Sequence, residues 1–265
     1  MATRADGGGT MLLQGCGKMG NALLQGWLKG KEPPQRVVVV EPAEALRAQA
    51  KALGPKVEAH AGPETLPSDL RPDALVLAIK PQSMDAGLGP YARFGASGTV
   101  VLSIAAGKTV GYFERTFGAG ATIVRSMPNT PAAVGRGMTV LFAPPRVGAA
   151  ARALAERLMT AVGEAAWVAE EALIDAVTAL SGGGPAYVFL LIEAMAAAGV
   201  KAGLDPDLAM RLARATVCGS GELARLSPEP AAQLRQNVTS PGGTTKAALD
   251  VLMAADGIQP LFDRA

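Results

Sequence analysis

A G-x-G-x-x-G motif at residues 15–20 constrains the fold of this chain more than any other feature. It directly follows a short apolar run at residues 11–14, and a helical pattern with one apolar face continues to residue 29. A second apolar run, at residues 37–40, closes a unit of about 30 residues. This order of strand, glycine turn, helix and strand predicts a βαβ unit that binds a dinucleotide.

The motif supplies five of the predicted cofactor contacts, on Gly15, Gly17, Lys18, Met19 and Gly20. Its glycines serve the tight turn, the approach of the pyrophosphate to the helix start, and close packing of helix on strand. Glu41 ends the second strand, where a carboxylate accepts hydrogen bonds from a ribose 2′-OH and repels a 2′-phosphate. That favours NADH, but Arg36 or Arg47 can neutralise a phosphate, so NADH and NADPH both stay open.

Four more strand candidates follow at residues 74–79, 99–104, 121–125 and 138–142, with helical stretches between them. Continuous apolar runs are typical of parallel strands that are buried on both faces. The alternation predicts an α/β Rossmann domain with a doubly wound, mostly parallel sheet, whose ligand lies beyond the carboxyl ends of the strands. Lys80 and Asn129 stand at two such ends and suit a nicotinamide and its ribose.

The strand signals stop after Trp167, and residues 170–180, 185–200, 206–226 and 245–255 have helical patterns. The three glycines at residues 182–184 are expected to end the first of these helices. The second helix is apolar on nearly every face and must be covered all round. Because the rest of this half is too short to enclose it, we expect a homodimer whose helical domains complete one core.

The resulting organisation has three parts. We expect a disordered tail at residues 1–9, a dinucleotide-binding Rossmann domain at residues 10–168, and an all-α substrate-binding and dimerisation domain at residues 169–265.

A polar turn at residues 240–243, S-P-G-G, precedes the last predicted helix. Pro and Gly favour a tight turn there, and Thr244 or Thr245 can cap the helix. Backbone N–H groups at a helix start also bind small anions such as a carboxylate. An ordinary capped turn and an anion site both remain possible on these residues alone.

Composition excludes several functions. The net charge is +2 with acids and bases interspersed, so we expect no nucleic-acid partner. Cys16 and Cys218 are the only cysteines and His60 is the only histidine, which argues against a disulfide framework and a metal site. The most apolar long segment, at residues 187–200, is broken by Glu193 and is too short to span a bilayer. We therefore expect a cytoplasmic protein with no membrane partner.

Seven motifs in this order resemble those of pyrroline-5-carboxylate reductases, from about residue 11 to residue 262. They are G-C-G-K-M-G-N-A from Gly15, A-I-K-P from Ala78, S-I-A-A-G from Ser103, M-P-N-T-P from Met127, G-G-G-P-A-Y-V-F from Gly182, I-E-A-M from Ile192 and S-P-G-G-T-T from Ser240. The resemblance implies reduction of the cyclic imine 1-pyrroline-5-carboxylate to L-proline with NADPH or NADH, in the last step of proline biosynthesis. It also implies an interlocked homodimer, in some relatives a ring of dimers.

The resemblance also implies roles for single residues. Thr245 is the catalytic hydroxyl expected beside the imine nitrogen. The substrate-binding residues are Ser240, Gly242, Gly243, Thr244 and Thr245. The cofactor-lining residues that the resemblance adds are Ala78, Lys80, Pro81, Ala105 and Asn129. Because a protonated imine is already an electrophile, hydride transfer to it needs positioning more than a strong general base.

Two other functions stay open. A β-hydroxyacid-type dehydrogenase has the same two-domain build and uses a Lys on a central helix as its acid and base. Lys201 is the only Lys near that region, and it stands at a predicted helix end. A non-catalytic protein that senses nucleotide through its Rossmann half is the third possibility, but such a protein has no evident need for the polar turn at residues 240–245.

Overall fold

The computed structural model describes residues 9–265. The predicted disordered tail, apart from Gly9, therefore lies outside the described residues. The described residues form two compact units, which divide between Pro185 and Ala186. The domain boundary predicted after residue 168 falls before this division and stays a prediction.

A sheet of eight strands forms the centre of the first unit, in the order β3-β2-β1-β4-β5-β6-β7-β8. The strands are β1 (Thr10–Gln14), β2 (Arg36–Val40), β3 (Val57–His60), β4 (Ala74–Leu77), β5 (Val100–Ser103), β6 (Thr122–Met127), β7 (Gly137–Phe142) and β8 (Gly163–Trp167). All neighbouring strands run parallel except β6 and β7, which are antiparallel. The predicted doubly wound, mostly parallel sheet is confirmed.

Helices cover both faces of this sheet. They are α1 (Lys18–Lys29), α2 (Glu44–Lys51), α3 (Met84–Gly87), α4 (Val110–Phe117), α5 (Ala149–Thr160) and α6 (Leu173–Val177). Leu12 and Leu13 are consecutive on β1, yet each belongs to a different buried cluster. Successive side chains of a strand point to opposite faces, so the continuous apolar run of β1 supplies both cores at once.

The two edge strands, β3 and β8, were not predicted. The β8 sequence G-E-A-A-W has low strand propensity and is only half-buried. Its extended form is stabilised by parallel pairing with β7 over five residue pairs. His60 is the last residue of β3, and its Nδ1 atom lies 3.0 Å from the Thr65 hydroxyl.

The second unit is all-helical, as predicted. Its helices are α7 (Gly184–Lys201), which begins at the end of the first unit, α8 (Pro206–Leu226), α9 (Ala231–Asn237), α10 (Thr244–Leu252) and α11 (Ile258–Arg264). Helices α7 and α8 share a small buried cluster of Ile192, Ala196 and Ala213. Asp205 caps α8 by accepting hydrogen bonds from two N–H groups of its first turn.

The three glycines at residues 182–184 do not end a helix, and this prediction was wrong. Helix α6 continues through a π-helical segment, Thr178–Gly182, into α7. A glycine ends a helix when it adopts a left-handed conformation, but none of these three has a positive φ. The chain therefore forms one helical stretch of 29 residues, Leu173–Lys201.

This stretch is longer than the segment judged too short to span a bilayer. Among residues 9–265, it is the one helix long and apolar enough to cross a membrane by length and composition. The core helix of a soluble protein passes the same test, so the finding is weak evidence for a membrane. It does show a large apolar surface that a single chain leaves uncovered, since Phe189 is 58% exposed and Leu190 is 63% exposed.

Candidate active site

The glycine turn between β1 and α1 has no room for a side chain at two of its positions. Gly15 has a φ of +89°, and a Cβ atom there would lie 2.8 Å from the carbonyl oxygen of Ala78. A Cβ atom at Gly20 would lie 2.2 Å from the carbonyl oxygen of Gly15. Close packing of β1, α1 and the end of β4 therefore requires glycine at both positions.

Gly17 differs from its two neighbours in the motif. It is the N-cap residue of α1 with a φ of −66°, and a Cβ atom there would meet nothing within 4 Å. Packing does not require this glycine, so the open space next to the N–H groups of the first turn is free for a ligand. A pyrophosphate fits these donors and this space. Lys18 is exposed at the same turn and Met19 is half-buried.

Glu41 follows β2 and is buried, with 7% of its surface exposed. One carboxylate oxygen, Oε2, accepts a hydrogen bond from the N–H of Cys16 at 2.8 Å, and Oε1 accepts one from the N–H of Ala43 at 2.9 Å. The side chain thus holds the glycine turn and the segment that leads into α2. A carboxylate has about four acceptor positions, so a ribose hydroxyl can still bind. The ribose role stays a prediction.

Both arginines considered as partners for a 2′-phosphate are engaged within the protein, and only Arg47 lies near Glu41. Arg36 begins β2, whereas Glu41 follows the other end of that strand. Arg36 donates two hydrogen bonds to the carboxylate of Glu58, at 2.8 and 2.7 Å. Arg47 donates to the backbone carbonyls of Glu41 and Pro42. A 2′-phosphate beside Glu41 would have to compete with these two backbone carbonyls for the guanidinium of Arg47, so NADH and NADPH both stay open.

Further predicted cofactor residues lie at the carboxyl ends of β4, which pairs with β1, and of β5, which pairs with β4. Ala78 directly follows β4, and its N–H donates to the carbonyl of Gln14 at the end of β1, at 2.8 Å. Lys80 is exposed and precedes a 3₁₀ turn, Pro81–Ser83. Ala105 is buried, and its N–H donates to the Ser103 hydroxyl at 3.2 Å. Parallel pairing therefore brings the glycine turn and these residues to one edge of the sheet.

Asn129 lies just beyond β6, and its amide group is engaged at both ends. The Oδ1 atom accepts a hydrogen bond from the N–H of Met138 at 2.9 Å. The Nδ2 atom donates to the backbone oxygen and the hydroxyl of Ser181, at 3.3 and 3.2 Å. Sequence analysis missed Ser181, although it directly precedes the glycines that carried the resemblance.

A partly buried ion pair was also missed. Arg125 on β6 is 3% exposed, and its guanidinium lies 2.8 Å from Oε1 of Glu171. The same oxygen accepts a hydrogen bond from the N–H of Val110 at 2.6 Å. Glu171 therefore ties the segment before α6 to both β6 and the start of α4.

Cys16 sits inside the glycine turn but is not a nucleophile. Burial, and then the nearby charge of Glu41, raise the pKa of its thiol to about 11. The thiolate is the reactive form of cysteine, so this side chain is unreactive near neutral pH. Cys16 and Cys218 are both free cysteines.

The predicted substrate turn lies in the second unit. Gly242 has a φ of +70°, and the N–H of Gly243 donates to the carbonyl of Ser240 at 3.1 Å, which closes the turn. The predicted threonine cap was wrong, because Gly243 takes the N-cap position and no side chain caps α10. Thr244 and Thr245 are both exposed and occupy the first turn of α10, where helix geometry offers their N–H groups no carbonyl partner.

Comparisons with known proteins agree with this arrangement. A family model described as pyrroline-5-carboxylate reductase dimerisation matches residues 171–265, and one described as NADP oxidoreductase, coenzyme F420-dependent, matches residues 11–107. A pyrroline-5-carboxylate reductase of Synechocystis sp. is 41% identical over 239 residues, which are 90% of this chain and 87% of the relative. The chain belongs to the pyrroline-5-carboxylate reductase family.

Solved structures of pyrroline-5-carboxylate reductases support the same conclusion. The enzyme of Coxiella burnetii superposes with a TM-score of 0.88 at 34% identity, covering 97% of this chain and 94% of that one. The enzyme of Plasmodium falciparum, solved with NADP bound, has a TM-score of 0.76 at 30% identity, covering 93% and 90%. The predicted family and the predicted combination of a Rossmann domain with a helical domain are confirmed.

Proposed function

We propose that this chain is an oxidoreductase that reduces 1-pyrroline-5-carboxylate to L-proline with NADPH or NADH. The observation that carries this proposal is the 41% identity to a pyrroline-5-carboxylate reductase over 90% of the chain. The α1 turn, with space left open at Gly17, and the polar turn at the start of α10 supply the two kinds of site that this reaction needs.

The first unit would hold the cofactor at the carboxyl edge of its sheet. The pyrophosphate would lie at Gly17 against the first turn of α1, with Gly15 and Gly20 keeping the turn compact. The bound cofactor supplies a hydride to the imine carbon. The residues proposed to line the rest of the cofactor are Lys18, Met19, Glu41, Ala78, Lys80, Pro81, Ala105 and Asn129.

The second unit would bind the substrate through the turn before α10. The N–H groups at the start of this helix and the Ser240 hydroxyl are suited to a carboxylate, because they are exposed donors at the positive end of the helix dipole. Gly242, with its positive φ, and Gly243 give the turn its tight course. Thr244 and Thr245 supply the first two N–H groups of the helix.

Thr245 is proposed to orient the iminium group. Its hydroxyl would accept a hydrogen bond from the protonated imine nitrogen, which fixes the C=N bond relative to the hydride donor. As the hydride bonds to carbon, the electron pair of the C=N π bond moves to nitrogen, which becomes a secondary amine. No side-chain base is needed for this step, which suits a chain whose only histidine is hydrogen-bonded at the end of β3.

We also propose that the active form is a cytoplasmic homodimer, or a ring of dimers. The family model that matches residues 171–265 is named for dimerisation, and the apolar surface of α7 lies within this range. A second copy would cover Phe189 and Leu190, whose exposure in one chain is otherwise costly.

The test of this function follows absorbance of NADH and NADPH as each is oxidised. The purified protein should turn over 1-pyrroline-5-carboxylate with at least one cofactor and should not reduce a panel of 3-oxoacids. Turnover of the 3-oxoacids alone would instead indicate a β-hydroxyacid-type dehydrogenase, with Lys201 at the end of α7 as its candidate acid and base. Cofactor binding without turnover of either substrate class would indicate a nucleotide sensor.

A further inference from the structure

The π-helical segment Thr178–Gly182 is held against the end of β6 by contacts that have no role in the reaction proposed above. A π-helical turn contains one residue more than an α-helical turn, and such turns are often found at functional sites. Here the N–H of Gly183 donates to the carbonyl of Thr178 at 2.9 Å, which is the wider spacing of a π turn. The segment needs a compensating interaction to keep this form.

Asn129 provides that interaction. Its Nδ2 atom donates to both oxygens of Ser181, the last residue but one of the π-helical segment. The N–H of Met138 on β7 can only donate, so the bonded atom of Asn129 must be Oδ1 and the amide orientation is determined. The carboxamide therefore bridges β7 and the π-helical segment.

Next to this bridge, the segment packs against the end of β6 at Gly182. A Cβ atom at Gly182 would lie 3.2 Å from Sδ of Met127, the last residue of β6. Ile174, one helical turn before the segment begins at Thr178, is 1% exposed and belongs to the same core cluster as Met127. The segment therefore lies directly against β6, and its position depends on Asn129 and on this close contact.

The location of the bridge gives it a functional meaning. Strands β5 and β6 are parallel, with Ser103 opposite Arg125, so Asn129 lies beyond the same edge of the sheet as Ala105. This is the edge where the cofactor is proposed to bind. The Ser181 hydroxyl accepts from Nδ2, so its own hydrogen is free to be donated to a third group.

We infer that Asn129 is a positioning residue, whose carboxamide holds the π-helical segment so that the Ser181 hydroxyl donates a hydrogen bond at the reacting end of the site. The acceptor of this bond belongs to the class of nicotinamide nucleotides, through the carboxamide oxygen or a ribose hydroxyl. Asn129 thus lines the cofactor edge without itself being the donor to the cofactor. This inference rests on the proposed function.

A double-mutant cycle tests it. Ser181→Ala should lower kcat by about 10-fold, because the bound nicotinamide nucleotide loses a hydrogen bond that orients it for hydride transfer. Asn129→Ala should lower kcat at least as much, and adding Ser181→Ala to it should lower kcat no further, because the hydroxyl is already misplaced. Ser181→Thr retains the hydroxyl and should recover most of the rate. The dissociation constant of NADPH, measured by fluorescence without substrate, should change less than threefold in each variant.

One control variant and several contradicting outcomes keep the inference falsifiable. Ser97→Ala removes a hydroxyl bonded to the carbonyl of Phe94, ahead of the amino end of β5, and should leave kcat unchanged. Additive losses in the cycle, or a 10-fold weaker NADPH affinity with normal kcat in Asn129→Ala, would overturn the positioning role. If Asn129→Ala does not fold, equal rates for Ser181→Ala and Ser181→Thr would overturn it. A wild-type protein inactive on 1-pyrroline-5-carboxylate would instead reject the proposed function.

Discussion

The carboxylate of Glu41 accepts a hydrogen bond from the N–H of Cys16 at 2.8 Å, which ties the end of β2 to the glycine turn after β1. A residue predicted to select the cofactor is thus also part of the structure that binds it. Any substitution of Glu41 must therefore be tested for both cofactor preference and stability.

For Glu41→Ser, we expect the ratio of kcat/KM values to shift toward NADPH, because the charge that repels a 2′-phosphate is lost. We also expect the free energy of unfolding to fall by roughly 2 kcal/mol, since the N–H groups of Cys16 and Ala43 lose their acceptor. Steady-state kinetics with both cofactors and urea denaturation measure the two effects. An unchanged ratio would reject the ribose role, and Glu41→Gln, which keeps one acceptor oxygen, should be less destabilised.

The open space at Gly17 predicts that a larger side chain there abolishes cofactor binding without unfolding the protein. Gly17→Val should fold normally, because φ is −66° and a Cβ atom has no neighbour within 4 Å, but the side chain should block the pyrophosphate. Gly148→Val is the matched control, since Gly148 is the N-cap residue of α5 with a φ of −67° and equally open space. Fluorescence titration with NADPH should show binding in the control only. Normal affinity in Gly17→Val would remove the turn from the cofactor site.

Thr245→Ala should lower kcat/KM for 1-pyrroline-5-carboxylate by ~10-fold to 100-fold, the scale of one or two hydrogen bonds in the transition state. Stability should change little, because the Thr245 side chain is exposed and does not cap α10. Thr245→Ser keeps the hydroxyl and serves as the control in the same absorbance assay. A wild-type rate for the alanine variant would exclude Thr245 from the mechanism.

The pair of Arg125, which is buried, and Glu171, which is partly exposed, should contribute more to stability than an exposed pair. Glu171→Ala leaves the guanidinium without its carboxylate in a buried position, so the free energy of unfolding should fall by about 2–4 kcal/mol. Glu58→Ala breaks the exposed pair with Arg36 and should cost less than about 1 kcal/mol. Urea denaturation at one protein concentration compares the two variants. Equal losses would contradict the special role of this pair.

Leu190→Lys should convert the proposed dimer into a monomer. Leu190 is 63% exposed in one chain, so a lysine can be solvated there before assembly but not within an apolar interface. Leu53→Lys, at a position 37% exposed in the first unit, is the control and should leave the assembly intact. Sedimentation equilibrium at micromolar concentration distinguishes the states. A folded wild-type monomer would contradict the dimer proposal.

The sequence alone determined the features that depend on neighbouring residues. Gly15 and Gly20 could be recognised because a tight turn between strand and helix requires glycine at fixed spacing. The buried strands β1, β2, β4 and β5 could be recognised because strands covered on both faces need continuous apolar runs. The family followed from motifs whose order and spacing are visible without coordinates.

Only the tertiary structure decided which distant groups meet. The strand β8 exists because β7 offers it hydrogen-bonding partners, and its own sequence does not favour extension. The helix runs through the three glycines at residues 182–184 because contacts with Met127 and Asn129 hold the segment before them. Asn129 and Ser181 are 52 residues apart in the sequence, and no local pattern encodes the hydrogen bond between them. Long-range pairing of partly buried polar groups depends on packing of the whole unit, which sequence periodicity does not reveal.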